Sequence, residues 1–523
     1  MSSSPWAPLR RPVFRALWAA QLTSNVGGWM QSVGAQWFLV RETHSPALVA
    51  LVQSASLVPV LLLSLVAGVL ADALDRRRLL LTTTTLSAVA ATVLVVLDLS
   101  GGLAPWSLLT ATFTLGCLSA LTSPAWQAVQ PELVPREEIP AAASLGSVTV
   151  NAARAVGPAA AGVIVGFTGP WAVFALNALS FLGVLVVLLR WRREPRRAPL
   201  GRERHGEALL AGVRYVRSAP GVRRILLRAA LFAVPACALW ALLPTVATGE
   251  LGLGSGGYGL LLGVLGAGAV LGVVVLPGLR RRFGSSTLLA GSALVYALGL
   301  AAPSLGSVAL LVPVFVLTGI SWIVTLTTLN AALQLTLADW VRARGVAFYL
   351  LVFMGGQGVA SFGWGLLAGG IGSTPTLLVA AGLLVLTGLS VAVLPLREGT
   401  GTLDRTITAL SAGQPQLVFE PDPVDGPVTI EIDYTVRPGG GTAFVTAMRA
   451  VERSRRRTGA TSWTLERSGD DEHAYREQFS VRSWGEFTRA GLTRWTGYDH
   501  AGLDAALALV EGTARERHYF PAA

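Results

Sequence analysis

The chain has 523 residues, of which 52% are hydrophobic and only 14% charged, and its mean hydropathy is +0.57. A soluble domain carries about a quarter charged residues, so the composition argues against a water-soluble enzyme and for an integral membrane protein. The net charge of +11 is no sign of nucleic-acid binding, because residues 1–397 hold 27 arginines against 12 acids (+15) and residues 398–523 hold 14 against 18 (−4). The positive charge thus belongs to the apolar part, where arginine-rich loops retained on the cytoplasmic side explain it.

Apolar runs long enough to cross a bilayer recur near 14–40, 47–71, 79–99, 104–127, 142–167, 170–190, 225–248, 257–279, 285–305, 307–330, 346–370 and 374–396. Twelve transmembrane helices in two six-helix halves are expected. The first run follows Arg10, Arg11 and Arg15 and is too long for a signal-peptide core, so no cleaved leader is expected. Arginines cluster before it, then in alternate gaps: Arg76, Arg77 and Arg78; Arg136; the gap between the sixth and seventh runs; Arg280, Arg281 and Arg282; Arg342 and Arg344; and Arg397 after the last run. The other gaps hold only Arg41, which places both termini in the cytoplasm. Cys117 and Cys237 lie inside apolar runs, so no disulfide, metal site or cofactor is expected.

In the first run Gln21, Asn25, Gly28, Ser32 and Gln36 fall on one helical stripe. Such a stripe faces a cavity or another helix, not lipid. Trp29, Trp240, Trp322 and Gln357 are further cavity candidates; each tryptophan also suits packing or an interface anchor. Arg154 is a charge well inside a run, one turn after Asn151. Unpaired at membrane depth it costs at least about 2.5–3.5 kcal/mol, so it either binds an anion or gates the interior, or it snorkels to the cytoplasmic surface.

Between the sixth and seventh runs lies a basic linker, 192–224, in which Glu207 to Arg217 can form a surface amphipathic helix or a solvated connector. A numbering shift of 204 lays Gly68 on Gly272, Arg76-Arg77-Arg78 on Arg280-Arg281-Arg282, Gln130 on Gln334 and Leu133 on Leu337. The halves, 1–191 and 225–397, are therefore parallel repeats about an axis along the membrane normal. After a polar linker, 398–427, residues 428–523 read as a small soluble domain. VTIEIDYTV (428–436) alternates as a strand, 442–457 reads as a helix, and 460–468 and 473–481 read as paired strands. Ser483 with Glu486 forms a capping-box pattern for a helix to about Arg494. A helix over 499–515 and a short strand at 518–520 complete a βαββα(β), ferredoxin-like order.

The stretch GVLADALDRRRLL between the second and third runs resembles the signature loop of the major facilitator superfamily: Gly68, Leu70, Asp72, Asp75, Arg76, Arg77 and Arg78 occupy its positions. TSNVGGWMQSVGAQWFLV (23–40), LVPREEIPAAASLGSV (133–148) and NAARAVGPAAAG (151–162) are similar to its bacterial exporter branch of enterobactin-type efflux proteins and transmembrane secretion effectors. The resemblance implies a conformational latch at Gly68, Asp72, Asp75 and Arg76 to Arg78, acting on the eleventh helix; the alternative is that the arginines only fix topology. It implies that the first, fourth, seventh and tenth helices line a central cavity. Gly157, Pro158 and Gly162 resemble the fifth-helix motif of superfamily antiporters, with Ala161 in place of a glycine. Proton antiport is the family expectation, yet no acid sits in the middle of a run, leaving Asp98, Glu42 or Asp72 as carriers.

GATSWTLERS and FSVRSWGEFTR make the tail similar to dimeric α/β-barrel domains related to antibiotic-biosynthesis monooxygenases, with His473, Tyr475, Trp484 and Tyr498 as pocket candidates. The leading expectation is a plasma-membrane exporter of a small molecule such as a drug, siderophore or natural product, working by alternating access. Its expected partners are substrate, lipid bilayer and a second copy met through the tail, with no nucleic acid. The alternative is a membrane-anchored enzyme that modifies a natural product.

Overall fold

The computed structural model describes residues 6–43, 45–191, 205–396, 404, 406, 408 and 417–522. Arg397, residues 192–204 of the basic linker and most of 398–416 lie outside the described residues. The contacts divide the chain into two units: residues 1–198, 228–329 and 349–395; and residues 199–227, 330–348 and 396–523.

Helices cover all the apolar runs: α1 (Pro12–Thr43), α2 (Pro46–Ala73), α3 (Arg76–Leu99), α4 (Pro105–Val129), α5 (Ile139–Thr168), α6 (Pro170–Arg190), α7 (His205–Ser218, the linker), α8 (Pro220–Gly249), α9 (Ser255–Arg282), α10 (Ser285–Ala301) and α11 (Val308–Thr336). Then α12 (Arg342–Leu350) runs through a π-helical turn, Leu351–Gly355, into α13 (Gly356–Ile371), and α14 (Ser373–Leu389) follows. Local chemistry sets the boundaries. Proline opens α1, α2, α4, α6 and α8, where its missing N–H has no intrahelical partner to lose. The Asp75 side chain caps α3, accepting from the Arg78 N–H at 2.8 Å. Gly169 (φ 92°) and Gly372 (φ 91°) turn α5 into α6 and α13 into α14, close to the same place in the two repeats.

Among the described residues ten helices are both long and apolar enough to cross a bilayer. This narrows the expectation of twelve equivalent spans. Helix α1 has 32 residues but is diluted by its polar stripe, and α14 has only 17. Leu86, Val89, Val93 and Val96 of α3 stand exposed at helical spacing, as do Leu378, Val379, Leu386 and Leu389 of α14; in water these would be adhesive patches.

In the first unit α5 packs along α9 and α2 along α13. Adding 204 to α2 gives approximately α9, and to α5 approximately α12–α13, so the two packings exchange under the repeat. Glycines let the backbones meet. A Cβ at Gly162 would stand 2.6 Å from Gly259 Cα, and one at Gly365 would stand 2.9 Å from Ala47 Cα. These contacts run from Gly166 at Ser255 to Gly266 at Ala155, and from Gly365 at Pro46 to Gly355 at Leu61. Beyond Gly266, the α9 glycines Gly268 and Gly272 pack on Val316 and Ile320 of α11, in their own half. The halves are therefore closed together at the ends of α5 and α13 and the starts of α9 and α2.

The second unit is built on a four-stranded antiparallel sheet of β1 (Val428–Val436), β2 (Ser462–Arg467), β3 (Ala474–Val481) and β4 (Val510–Tyr519), in the order β2-β3-β1-β4. Helices α15 (Gly441–Thr458), α16 (Trp484–Arg489) and α17 (Gly497–Leu507) accompany it. The order is that of a ferredoxin-like fold. The alternating side chains Val428, Ile430, Ile432, Tyr434 and Val436 pack on Phe444, Met448 and Val451 of α15. One expectation is corrected: the last helix ends at Leu507, not 515, because residues 510–519 pair with β1 from Val510 opposite Val436 to Tyr519 opposite Thr429. The positive φ of Gly512 (73°) lies in the register shift opposite Asp433 and Thr435.

Buried charges inside this unit are paired. Glu477 is held by Arg455 (3.2 Å), the Tyr434 hydroxyl (2.8 Å) and the Trp463 indole (2.8 Å). Asp499 accepts from Arg457 (2.5 Å), Ser454 (2.6 Å) and Thr496 (2.7 Å). Burial alone would raise the Asp499 carboxyl; Arg457 and the two hydroxyls outweigh it and hold the group below its ordinary range. A depressed folded-state value contributes stability that is fully present above the unfolded value of about 3.9 and is lost as pH falls through the folded one. Proteolysis of the tail in the full chain is therefore expected to accelerate below about pH 4. In Asp499→Asn it should be faster at pH 7 and flatter across the acid range; an unchanged acid profile in that variant contradicts the assignment.

Candidate functional site

Arg154 sits midway along α5. Trp29 of α1, Trp240 of α8, Tyr296 of α10 and Trp322 of α11 gather around it, and Phe232 of α8 and Phe353 of the π-helical turn pack on Trp322. The guanidinium carbon stands 5.5 Å from the Trp29 ring centroid and 5.8 Å from that of Trp322, within cation–π range. The rings are continuous: Trp29 to Trp240 is 5.7 Å, Trp240 to Trp322 is 6.1 Å, Tyr296 to Trp322 is 5.9 Å and Phe353 to Trp322 is 5.6 Å. The π turn, a geometry often found at functional positions, presents Phe353 to Trp322.

The Nε and Nη1 of Arg154 and the Nε1 of Trp322 are shut from solvent and have no hydrogen-bond partner. Helices α5, α8, α10 and α11 contain no aspartate or glutamate. The cavity between Arg154, Trp240, Leu265, Ala269, Tyr296 and Trp322 is about 10 Å³, room for about one water. This places Arg154, Trp29, Trp240 and Trp322 together, with the guanidinium roofed by indoles midway along α5.

The polar stripe of α1 divides. Asn25 and Ser32 bond back to their own helix, at Gln21 O (2.8 Å) and Gly28 O (3.1 Å). Gln36 crosses between halves, donating to Trp240 O (3.2 Å) and accepting from the Tyr258 hydroxyl (2.6 Å). Trp240 is also the position that the 204-residue shift assigns to Gln36, so repeat-related positions meet at the axis. Gln357 is buried and donates to Phe353 O (3.1 Å), bridging the π turn. Asn151 is half-buried on α5. In the helix-5 motif Gly157 accommodates Trp29, whose Cβ would be 2.7 Å from an added Cβ, and Gly162 meets Gly259.

The signature loop makes its described bonds within the first half. Arg76 donates to Glu132 (2.6 Å) and Ala128 O (3.3 Å), and Arg77 to Leu188 O (3.0 Å) and Leu189 O (2.9 Å), capping the last carbonyls of α6. Asp75 is spent on the α3 cap. Gly68 and Asp72 are helical, and their side-chain surroundings lie outside the described residues.

One residue escaped the sequence reading. Arg228 is 3% exposed and donates to Thr387 O (3.1 Å), Ser390 O (2.7 Å), Leu394 O (2.6 Å) and the Ser390 hydroxyl (2.9 Å), capping α14. Asp98, near the end of α3, has its Oδ2 buried and without a hydrogen-bond partner, and the charge of Glu42 acts on it.

In the second unit α7 is helical over the expected span, but its Tyr215 is buried against Trp340, ring centroids 5.6 Å apart, not turned to lipid. Arg214 pairs with Glu486 and donates to Gly459 O (3.2 Å). Arg494 donates to Glu486 (3.4 Å) and lies 5.0 Å over the Trp340 ring. The expected capping box at α16 is half made: Ser483 accepts from the Glu486 N–H (3.3 Å), while the Glu486 carboxylate is drawn to Arg214 and Arg494. The tail pocket candidates do not converge. His473 precedes β3 and Trp484 follows it, about 26 Å apart along an eight-residue strand. Tyr475 is in the core against Phe444, and Tyr498 lies under Arg457. Among the described residues no His, Cys, Asp or Glu cluster could hold a metal.

Residues 3–519 match the family model described as "Transmembrane secretion effector". The staphyloferrin A transporter of Staphylococcus aureus is 27% identical over 260 residues, half of this chain and 65% of that protein. Macrolide efflux protein A of Streptococcus pyogenes is 24% identical over 173 residues, 33% of this chain and 42% of that protein. Multidrug efflux pump Tap of Mycolicibacterium fortuitum is 26% identical over 230 residues, 41% and 54%. The chain therefore spans less than two thirds of the length of each. Among solved structures, the nucleoside transporter NupG superposes with a TM-score of 0.54 at 13% identity over 74% of this chain and 100% of that one. A bacterial homologue of the lysosomal transporter Spinster, inward-facing and unoccupied, gives 0.57 at 15% over 74% and 95%. These likenesses fix the fold, and the family match places the chain in the transmembrane secretion effector family of major facilitator transporters.

Proposed function

We propose that this chain is a secondary active exporter of a small molecule in the plasma membrane, working by alternating access around Arg154. Twelve helices cross the bilayer, α1 and α14 included, with both termini cytoplasmic. The carrying observation is the one-sided closure of the halves: α5 meets α9 and α2 meets α13 from the midplane outward, and an unpaired arginine in an aromatic frame lies where the contact ends. In this reading the structure is closed on the outer side with the central site collapsed, and rocking of the halves opens that site to each side in turn. The relatives named for staphyloferrin A transport, macrolide efflux and multidrug efflux support export of small organic molecules. Proton coupling would use Asp98, whose Oδ2 is buried and unpartnered, with the charge of Glu42 favouring its protonated form. The exposed sheet face of the tail, where Asp433 pairs with Arg476 (2.8 Å) and Arg517 (3.4 Å), is where two copies would meet.

The test is a disulfide across the closed contact. A Cβ at Gly263 would stand 2.9 Å from Ala159 Cβ, so Ala159→Cys/Gly263→Cys, in a chain with Cys117 and Cys237 replaced by alanine, should cross-link. In proteoliposomes assayed with a panel of labelled acidic, basic and neutral amphiphiles, oxidation should stop transport and reduction should restore it. Full transport in the cross-linked protein, or no transport by the folded parent, defeats the reading.

A further inference from the structure

We infer that the Arg154 site takes a monoanionic amphiphile, a planar or aromatic body bearing one carboxylate; this rests on the exporter reading and names its substrate class. A guanidinium stripped of water and given no counter-charge is a standing penalty of several kcal/mol. Such a group is tolerated where a ligand completes it. Two of its nitrogens and the nearby Trp322 indole N–H are buried donors without acceptors, the set that a carboxylate satisfies through its two oxygens.

Sign follows from the surroundings. The helices that supply the site carry no acid, and α1 carries only Glu42, one residue from its end. A cationic ligand would meet Arg154 across a low-dielectric gap with nothing to offset the repulsion. A dianion would leave one charge unmatched, because Arg154 is the single cation there among the described residues. Shape follows from the walls. Trp29, Trp240, Tyr296, Trp322 and Phe353 offer faces and edges that favour an aromatic or planar body over a flexible chain. At about 10 Å³ the space is the collapsed form of the site, and a ligand enters by parting the rings.

The experiment uses the purified full chain in detergent and equilibrium dialysis with radiolabelled 1-naphthoate and the shape-matched 1-naphthylmethylammonium. Wild type should bind naphthoate at least about tenfold more tightly than the ammonium. Arg154→Gln should lose about tenfold or more, and Arg154→Lys, which keeps the charge but not the fork, should stay within about fivefold. Equal binding of the two probes, unchanged naphthoate binding in Arg154→Gln, or no naphthoate binding by monodisperse wild type overturns the proposal. Flux in proteoliposomes separates it from the parent reading. Naphthoate bound but no panel compound moved sinks the exporter and leaves the site. Cations moved while naphthoate is ignored sinks the site and leaves the exporter.

Discussion

Gly162→Leu is expected to abolish transport while the chain still inserts and purifies as a monodisperse protein. At this position two helix backbones touch: an added Cβ would lie 2.6 Å from both Gly259 Cα and Ser255 O. Neither neighbour is a side chain that can rotate away, so relief requires moving α9 off α5. Overpacking of this kind costs about 1–3 kcal/mol even in yielding cores. Here the strain exists only when the contact is closed, so it falls entirely on that state. A shift of about 3 kcal/mol changes the ratio of open to closed by about a hundredfold. The leucine variant should stall with the contact open, with a cysteine at Ala159 becoming reactive to an impermeant maleimide. Gly162→Ala, with no further atoms, should lie between. Normal flux in the leucine variant would show that the α5–α9 contact does not close in the cycle.

Arg228→Ala should be the most destabilising single change in the first unit. The side chain satisfies three carbonyls at and after the end of α14, groups that at the membrane edge have no ready substitute. Removing one partner of a buried charged network typically costs about 3–5 kcal/mol. Arg228→Lys should recover only part, since one ammonium cannot reach acceptors arranged around a planar fork. The measurement is thermal unfolding in detergent by cysteine-reactive dye at buried Cys237, with the alanine variant melting several degrees lower. A lysine variant as stable as wild type would mean that charge alone, not the fork geometry, caps the helix.

Much of the scaffold was legible because its signals are local or periodic. A helix lies over each apolar run, and the 204-residue shift, applied to the structure, interchanges the α5–α9 and α2–α13 packings. The alternation of VTIEIDYTV marked it as a strand, and its alternate residues from Val428 to Val436 are the buried ones. Arg154 stood out as a charge deep inside a run, a position that hydrocarbon makes expensive. What failed to show was pairing across distance. Gln36 reads as a cavity residue until Trp240 and Tyr258 arrive from the other half. Arg228 reads as an ordinary charge near a helix start, because its acceptors are carbonyls about 160 positions later and carbonyls have no sequence signature. The tail helix was overrun at Leu507 because β4 is an exposed edge strand, and its partner β1 lies about 80 residues upstream.

The bonds of Arg214 and Arg494 bear on how such proteins can be recombined. Linker helix α7, the α11–α12 connection at Trp340 and the ferredoxin-like domain form a single compact unit, although they are encoded in three separate stretches. Truncating at residue 404 would bare Tyr215 and Trp340 and strand Arg214. Grafting the tail alone onto a relative would bring Glu486 and Arg494 without the groups they grip. A working chimera should need residues 205–218, 330–348 and 404–522 transferred together. Over evolutionary time the same constraint should make those three segments exchange as one cassette, with drift at Arg214 answered by drift at Glu486, even while the surrounding helices diverge.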